Sequence, residues 1–231
     1  MTVEDLKIVY EDNHILAVNK PAGMLVQGDK TGDATIGDIV KQYIKEKYDK
    51  PGEVFLGVVH RIDRPVSGIV LFARTTKALQ RLNEMFQKRE IQKTYWAIVQ
   101  TRPEKESDTL VSYLRKNEEK NMSRVVSAET KGALKCELEY KLIAESENYW
   151  LLEVDPHTGR HHQIRVQLAN NGTIIKGDLK YGARRSNKDA SICLHARMIQ
   201  FIHPVKKEEI IITAPVPEDP LWRAFEEMVK N

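Results

Sequence analysis

The sequence has only two cysteines, Cys136 and Cys193, far apart and in no C-x-x-C pair, so neither a disulfide framework nor a zinc knuckle underlies the fold. No apolar stretch approaches the roughly 20 residues of a membrane span. The opening Met-Thr-Val-Glu-Asp-Leu-Lys also lacks the apolar core of a secretory signal. These absences lead us to expect a reducing cytoplasm and no membrane contact, and the chain is separately expected to be a monomer. A surplus of charge of one sign is missing too: 36 basic residues face 33 acidic ones, a net +3 that permits a polyanionic partner without demanding one. There is no glycine-rich phosphate loop. Gly23, Gly28, Lys30 and Thr31 come near the spacing, but Asp29 stands before the lysine and puts an anion where phosphates would sit. Nor is there a repeat, a low-complexity tract or a linker that would divide the chain. Its 231 residues suffice to bury a substantial core, and one domain over residues 1–231 is the simplest expectation.

What is present centres on His60-Arg61-Ile62-Asp63-Arg64-Pro65-Val66-Ser67-Gly68-Ile69-Val70-Leu71-Phe72-Ala73. The apolar runs Val54–Val59 and Gly68–Ala73 on either side read as buried strands. Charge held in a loop between two core strands costs free energy unless it is paired or used. A salt-bridge cluster of Arg61, Asp63 and Arg64 closing a turn is the bland reading. The sharper one is an anionic carboxylate suited to nucleophilic work, with arginines to hold a phosphate-bearing substrate against it.

The rest of the chain alternates short strands and helices. Leu6–Tyr10 and His14–Asn19 read as a hairpin, and residues 35–48 as an amphipathic helix capped by Thr35 or Asp33. A second helix starts at Thr75 or Thr76, with Leu79, Leu82, Met85 and Phe86 as its core stripe. Ile91–Val99 is a strand that points Lys93 and Tyr95 to one side. Residues 108–114 and 124–127 flank a charged stretch, 115–120, which reads as a solvated loop. Leu134, Cys136, Leu138, Tyr140 and Leu142 alternate with charged residues, the pattern of a half-buried strand, and Tyr149–Val154 pairs with it.

In Asp155-Pro156-His157-Thr158-Gly159-Arg160-His161-His162-Gln163-Ile164-Arg165, proline and glycine argue against one helix presenting the histidines to a metal, so no metal is expected. A helix from 158–160 to a C-cap at Asn171-Gly172 puts Arg165 on its inner face about two turns in. Gly177–Gly182 is a glycine-bounded loop ending in Arg184-Arg185, a plausible phosphate contact. Strands over Ile192–Ile202 and Glu209–Thr213 precede a terminal helix with Leu221, Trp222, Phe225, Met228 and Val229 inward. The fold class is α+β, a mixed and largely antiparallel sheet with flanking helices.

The central stretch resembles the H-R-L-D-R-x-T-S-G-L-L-L-x-A signature of the RluA-type RNA pseudouridine synthases, with Ile62 in place of Leu and Val66 in place of Thr. Further blocks resemble that family in order and spacing: Asn19-Lys20-Pro21-Ala22-Gly23, Lys93-Thr94-Tyr95-Trp96-Ala97, Thr158 to Arg165, Gly177 to Gly182, and Leu194-His195-Ala196. They span about residues 10 to 204. The resemblance implies isomerisation of uridine to pseudouridine in ribosomal or transfer RNA, with no cofactor. It implies Asp63 as nucleophile or base, Arg165 as the holder of its carboxylate, and Tyr95 stacked on the uracil and assisting deprotonation at C5. Ile164 and Leu194 would line the base pocket. Lys93 belongs to the substrate contacts, and Arg61, Arg64, Arg160, Arg184 and Arg185 are the candidates for flipping and phosphate contact. Because the resembling blocks start near residue 10, we expect no small N-terminal S4-type RNA-binding domain of the kind many relatives carry.

Two rival readings remain in view. His60-Arg61-Ile62-Asp63 bears a superficial likeness to a kinase H-R-D, but no metal-binding asparagine or D-F-G follows at the required spacing. A non-catalytic RNA-binding protein that kept the fold would be expected to lack the Asp, Tyr or Arg, and all three are present.

Overall fold

Period-two apolar patterning in the first fifth of the chain gives way to helical spacing at Ile36, and the computed structural model follows that change; it describes residues 2–28 and 32–230. The near-miss phosphate loop at Asp29–Thr31 lies outside the described residues. In chain order the first elements are β1 (Ile8–Glu11), β2 (Ile15–Lys20), α1 (Ile36–Lys47), β3 (Gly57–Val58), β4 (Ser67–Ala73) and α2 (Thr76–Lys88). There follow β5 (Gln92–Val99), β6 (Ser107–Asn117), β7 (Met122–Val126), β8 (Leu134–Glu145) and β9 (Trp150–Pro156). The last are α3 (Gln163–Asn170), β10 (Leu194–Ile202), β11 (Glu209–Thr213) and α4 (Pro220–Lys230). Among the described residues no helix is long and apolar enough to cross a membrane.

The described chain forms two compact units, one of residues 2–92 and 196–215, the other of 93–195 and 216–230. In the first, β1, β2, β4 and β10 are neighbours in that order, with β3 also on β4 and β11 on β10. The β1–β2, β2–β4, β3–β4 and β10–β11 ladders are antiparallel, and one isolated parallel bridge joins Leu25 to Thr35. Ile15, Ala17, Ile69 and Leu71 share one sheet face and pack with Ala78 and Leu82 of α2. Phe72 points the other way, toward Gly37 of α1. Thr35 caps α1: its Oγ1 accepts Asp38 N–H at 3.2 Å while the Asp38 carboxylate accepts Thr35 N–H at 2.9 Å, a reciprocal pair that satisfies two orphan helix donors.

The second unit runs β5-β9-β8-β6-β7, every ladder antiparallel. The alternation read at 134–142 holds over 135–141, where Cys136, Leu138 and Tyr140 are buried and Lys135, Glu137, Glu139 and Lys141 are not, but Leu134 at its start is exposed. Cys136 and Leu114 meet Val166 of α3.

Four expectations are corrected. The strand read over Val54–Val59 is only Gly57–Val58, with Phe55 and Val58 exposed. It ends because His60 Nε2, not a further strand carbonyl, accepts Leu71 N–H at 2.9 Å. Arg115, Lys116 and Asn117 are strand, not loop, pairing with Arg124, Ser123 and Met122; Asn121, at φ 45°, helps turn the chain. The third helix starts at Gln163 behind a left-handed His162 (φ 55°), so Arg165 lies in its first turn. Met228 and Val229 of α4 are exposed, and Trp222 and Phe225 carry its burial.

Candidate active site

In the first unit the Asp63 loop is fastened at every approach. The His60 ring stacks on Phe86 with centroids 5.1 Å apart, so the bond to Leu71 fixes the loop's start. Val66 N–H closes a turn on the Asp63 carbonyl at 3.0 Å. Gly23 N–H donates to the Arg64 carbonyl at 2.7 Å, and Arg64 Nε returns to the Gly23 carbonyl at 2.9 Å. Arg64 also pairs with Asp33 at 2.9 Å, and Arg61 is exposed with no side-chain hydrogen bond or ion pair among the described residues. Neither arginine pairs with Asp63, so the salt-bridge cluster of the bland reading is not what closes this turn.

The residue that sequence reasoning passed over is Lys20. It is wholly buried, and its Nζ donates to the carbonyls of Pro21 and Met24, both at 2.9 Å, and of Arg64 at 3.3 Å. Burial pushes its ammonium down to about 7, and the Asp63 carboxylate opposes that shift. Lys20 therefore ties the Pro21–Met24 turn to the Asp63 loop and places a cation within electrostatic reach of the carboxylate. The one signal in the sequence was its place in the Asn19-Lys20-Pro21 block.

In the second unit the Thr158–Arg165 block makes its own scaffold. Thr158 Oγ1 donates to Gln163 Oε1 at 2.7 Å and accepts Glu137 N–H at 2.9 Å, and Gln163 Nε2 donates to the Glu137 carbonyl at 3.0 Å. These bonds pin the start of α3 to β8 and leave Arg165 4% exposed. Inside this unit the guanidinium is held by Asp178: Nε and Nη2 reach its two carboxylate oxygens at 2.7 and 2.8 Å. The Tyr181 ring lies 5.1 Å from the guanidinium carbon. Asp178 belongs to the loop read as a phosphate contact, so that loop has an inward acid as well.

Around Tyr181, its hydroxyl accepts Ser123 N–H at 2.9 Å and meets His162 Nδ1 at 2.8 Å. Burial, with Arg165 next, drives His162 down to about 2, so the imidazole is neutral where it meets the Tyr181 hydroxyl. Because the folded form is depressed below the unfolded value near 6.5, this histidine's contribution is complete above that pH and is lost progressively as pH falls below it. We expect His162 to cost the fold about 1 kcal/mol between pH 7.5 and 5.5. Urea unfolding of wild type and His162→Gln at both pH values checks this; a stability difference that does not change with pH removes the claim.

Lys93 and Tyr95 lie on one face of β5, where Tyr95 pairs with Val154. Tyr95 is half-buried. Lys93 makes no hydrogen bond or ion pair among the described residues, its Nζ stands 4.0 Å from where a Cβ on Gly159 would be, and burial alone lowers its ammonium. A buried cation without an anion is costly unless the ligand brings one. Ile164 and Leu194 are buried, Arg160 is exposed with Nε 3.4 Å from the Lys135 carbonyl, and Arg184 and Arg185 are exposed. Among the described residues no cluster of three or more His, Cys, Asp or Glu is placed to hold a metal.

Comparison with known proteins agrees over nearly the whole chain. Residues 14–170 match the model of the RNA pseudouridylate synthase family. The chain is 32% identical over 255 residues to the tRNA pseudouridine synthase C of Vibrio parahaemolyticus, covering 100% of both. It is 34% identical over 215 residues to the ribosomal large subunit pseudouridine synthase C of Vibrio cholerae, covering 90% of this chain and 65% of that one. Among solved structures, human RNA pseudouridylate synthase domain containing 4 superposes with a TM-score of 0.77 at 22% identity, covering 97% of this chain and 93% of that one.

Proposed function

Since the chain belongs to the RNA pseudouridylate synthase family and is therefore an RNA-modifying isomerase, we propose that it converts uridine to pseudouridine in transfer RNA, with Asp63, Tyr95 and Arg165 acting on one extruded nucleotide. Transfer RNA is favoured because the relative matched along its whole length acts, by its name, on transfer RNA. The reaction conserves every atom: the N1–C1′ bond breaks, the uracil turns, C5 bonds to C1′, and the proton leaving C5 is balanced by one gained at N1. Asp63 starts the sequence as nucleophile or base, Arg165 orients the carboxylate, and Tyr95 stacks on the base and assists loss of the C5 proton. Extruding the uridine costs roughly a few kcal/mol in a duplex and less in a loop.

The observation that carries this reading is the fastening of the Asp63 loop. Three backbone carbonyls on Lys20, the His60–Leu71 bond and the reciprocal Gly23–Arg64 bonds hold a short charged loop as firmly as a strand. Such order around a half-buried carboxylate suits chemistry that needs one geometry. The test is release of tritium from uracil C5 in unmodified transfer and ribosomal RNA transcripts. We expect release from transfer RNA. Release from ribosomal RNA alone reverses the substrate assignment, and none from any bound RNA overturns the reading.

Lys93 supplies a second expectation. If its buried ammonium meets a phosphate of the bound nucleotide, Lys93→Gln lowers the salt dependence of RNA binding by about one unit of slope. It should do so without loss of folding stability, because no hydrogen bond or ion pair among the described residues holds that cation. Filter binding over a salt series decides it, and an unchanged slope refutes the contact.

A further inference from the structure

We propose that residues 184–188 form an arch that grips the RNA backbone outside the extruded nucleotide, and that Asn187 is the positioning residue that holds this arch in shape. The proposal rests on the reading of the chain as an enzyme acting on transfer RNA. Arg184, Arg185 and Lys188 put three cations into five residues, all three exposed. Among the described residues none of them makes a hydrogen bond or an ion pair. The only acid between Ala183 and Ser191 is Asp189, whose Oδ1 is taken up by the Ser191 N–H at 3.1 Å and hydroxyl at 2.7 Å. Cations grouped without an anion repel one another and attract a polyanion.

A charged surface loop would ordinarily keep its freedom, since ordering each residue costs about 1 kcal/mol or more. This one is fixed at both ends. Ala183 is buried, and its N–H donates to the Asp178 carbonyl at 3.0 Å. At the other end the Asn187 amide uses both of its heteroatoms. Its Oδ1 accepts Lys176 Nζ at 2.5 Å, and its Nδ2 donates to Ser191 Oγ at 3.2 Å and to Cys193 Sγ at 3.5 Å. Those partners stand on fixed backbone: Lys176 N–H donates to the Ile98 carbonyl and the Lys176 carbonyl accepts Cys193 N–H, both at 2.9 Å. Burial pushes the Cys193 thiol up to about 11, so it stays a neutral neighbour of the amide. The amide also packs against bare backbone, because a Cβ on Gly177 would stand 2.8 Å from Asn187 Nδ2. Beyond it, Ala190 N–H closes a turn on the Asn187 carbonyl at 3.0 Å with Ala190 at φ 57°, a left-handed conformation that costs a residue with a Cβ about 1 kcal/mol.

The core does not ask for this order. Arg184, Arg185, Ser186 and Lys188 all face solvent, so what Asn187 fixes is an outer surface. Three cations whose spacing is set before RNA arrives lose little freedom when a phosphate backbone meets them, and that is the gain from holding the loop.

The test is filter binding of the full chain to a transfer RNA transcript over a salt series. Arg184→Gln, Arg185→Gln and Lys188→Gln together are expected to raise Kd at least about tenfold at about 0.1 M salt and to lower the salt slope by about two units. Asn187→Ala removes no charge, yet should raise Kd at least about threefold and lower the slope by about one unit, because the cations no longer hold their spacing. In the triple-glutamine background Asn187→Ala should change neither value further. An unchanged slope in the triple variant overturns the proposal. So does a wild-type slope in folded Asn187→Ala, an equal loss of affinity with and without the three cations, or failure of both Asn187→Ala and Asn187→Ser to fold. A wild type that binds transfer RNA but releases no tritium from any transcript removes the proposed activity and leaves these binding arms to judge the arch; one that does not bind transfer RNA removes both.

Discussion

Asp63→Asn is expected to abolish tritium release from uracil C5, by roughly three orders of magnitude or more, while RNA binding is retained. The substitution keeps the shape of the side chain. The turn around it is closed by backbone atoms, Val66 N–H on the Asp63 carbonyl, so the loop should keep its course. What disappears is a negative charge and a nucleophilic oxygen. One side effect follows from Lys20, whose ammonium, at about 7, is supported by that carboxylate. Without Asp63 it should deprotonate at lower pH, and the remaining hydrogen bonds to three carbonyls are weaker from a neutral amine. Asp63→Glu keeps the charge but moves it by a methylene, and about a hundredfold loss is expected from misplacement alone. Single-turnover assays at saturating RNA separate these outcomes from binding. Retention of more than about a tenth of the wild-type rate by Asp63→Asn would show that the carboxylate is not the reacting group, and would favour an RNA-binding role for its loop.

Much of the scaffold was legible because burial writes itself into spacing. Lys135 to Lys141 alternates since one face of β8 meets a core and the other does not, and the capping of α1 by Thr35 follows from a local exchange of hydrogen bonds. Where both faces of a strand are solvated the pattern vanishes, and so Arg115, Lys116 and Asn117 read as loop although they are paired strand. The early end of β3 was hidden for another reason: an imidazole accepts the bond that a strand carbonyl would take, and no periodicity marks that exchange. The inward course of Arg165 could be read from its helix, but not its partner thirteen residues on, because an ion pair across a loop leaves no repeat in the sequence. Lys20 escaped notice on similar grounds, since its partners are backbone carbonyls that any residue type could provide.

Gly68→Ala is expected to be the most damaging single-methyl change in the protein. Gly68 pairs with Lys20 across β2–β4 at φ +114°, and a Cβ there would stand 2.3 Å from the oxygen and 2.5 Å from the nitrogen of Ala196. Both obstacles are backbone of the neighbouring strand β10, with no flexible side-chain end to give way. Either the β4–β10 contact opens or the turn before Gly68, which carries Asp63, is displaced. Gly132→Ala is the natural control, because Gly132 has φ +81° with nothing within 4 Å of its would-be Cβ. That control isolates the backbone cost of positive φ, about 1 kcal/mol. Gly68→Ala adds the steric clash and should exceed about 4 kcal/mol, enough to leave little folded protein. Urea unfolding of the two variants measures the difference directly. If they fall within about 1 kcal/mol of each other, the close approach of β4 to Ala196 is not what makes glycine necessary at position 68.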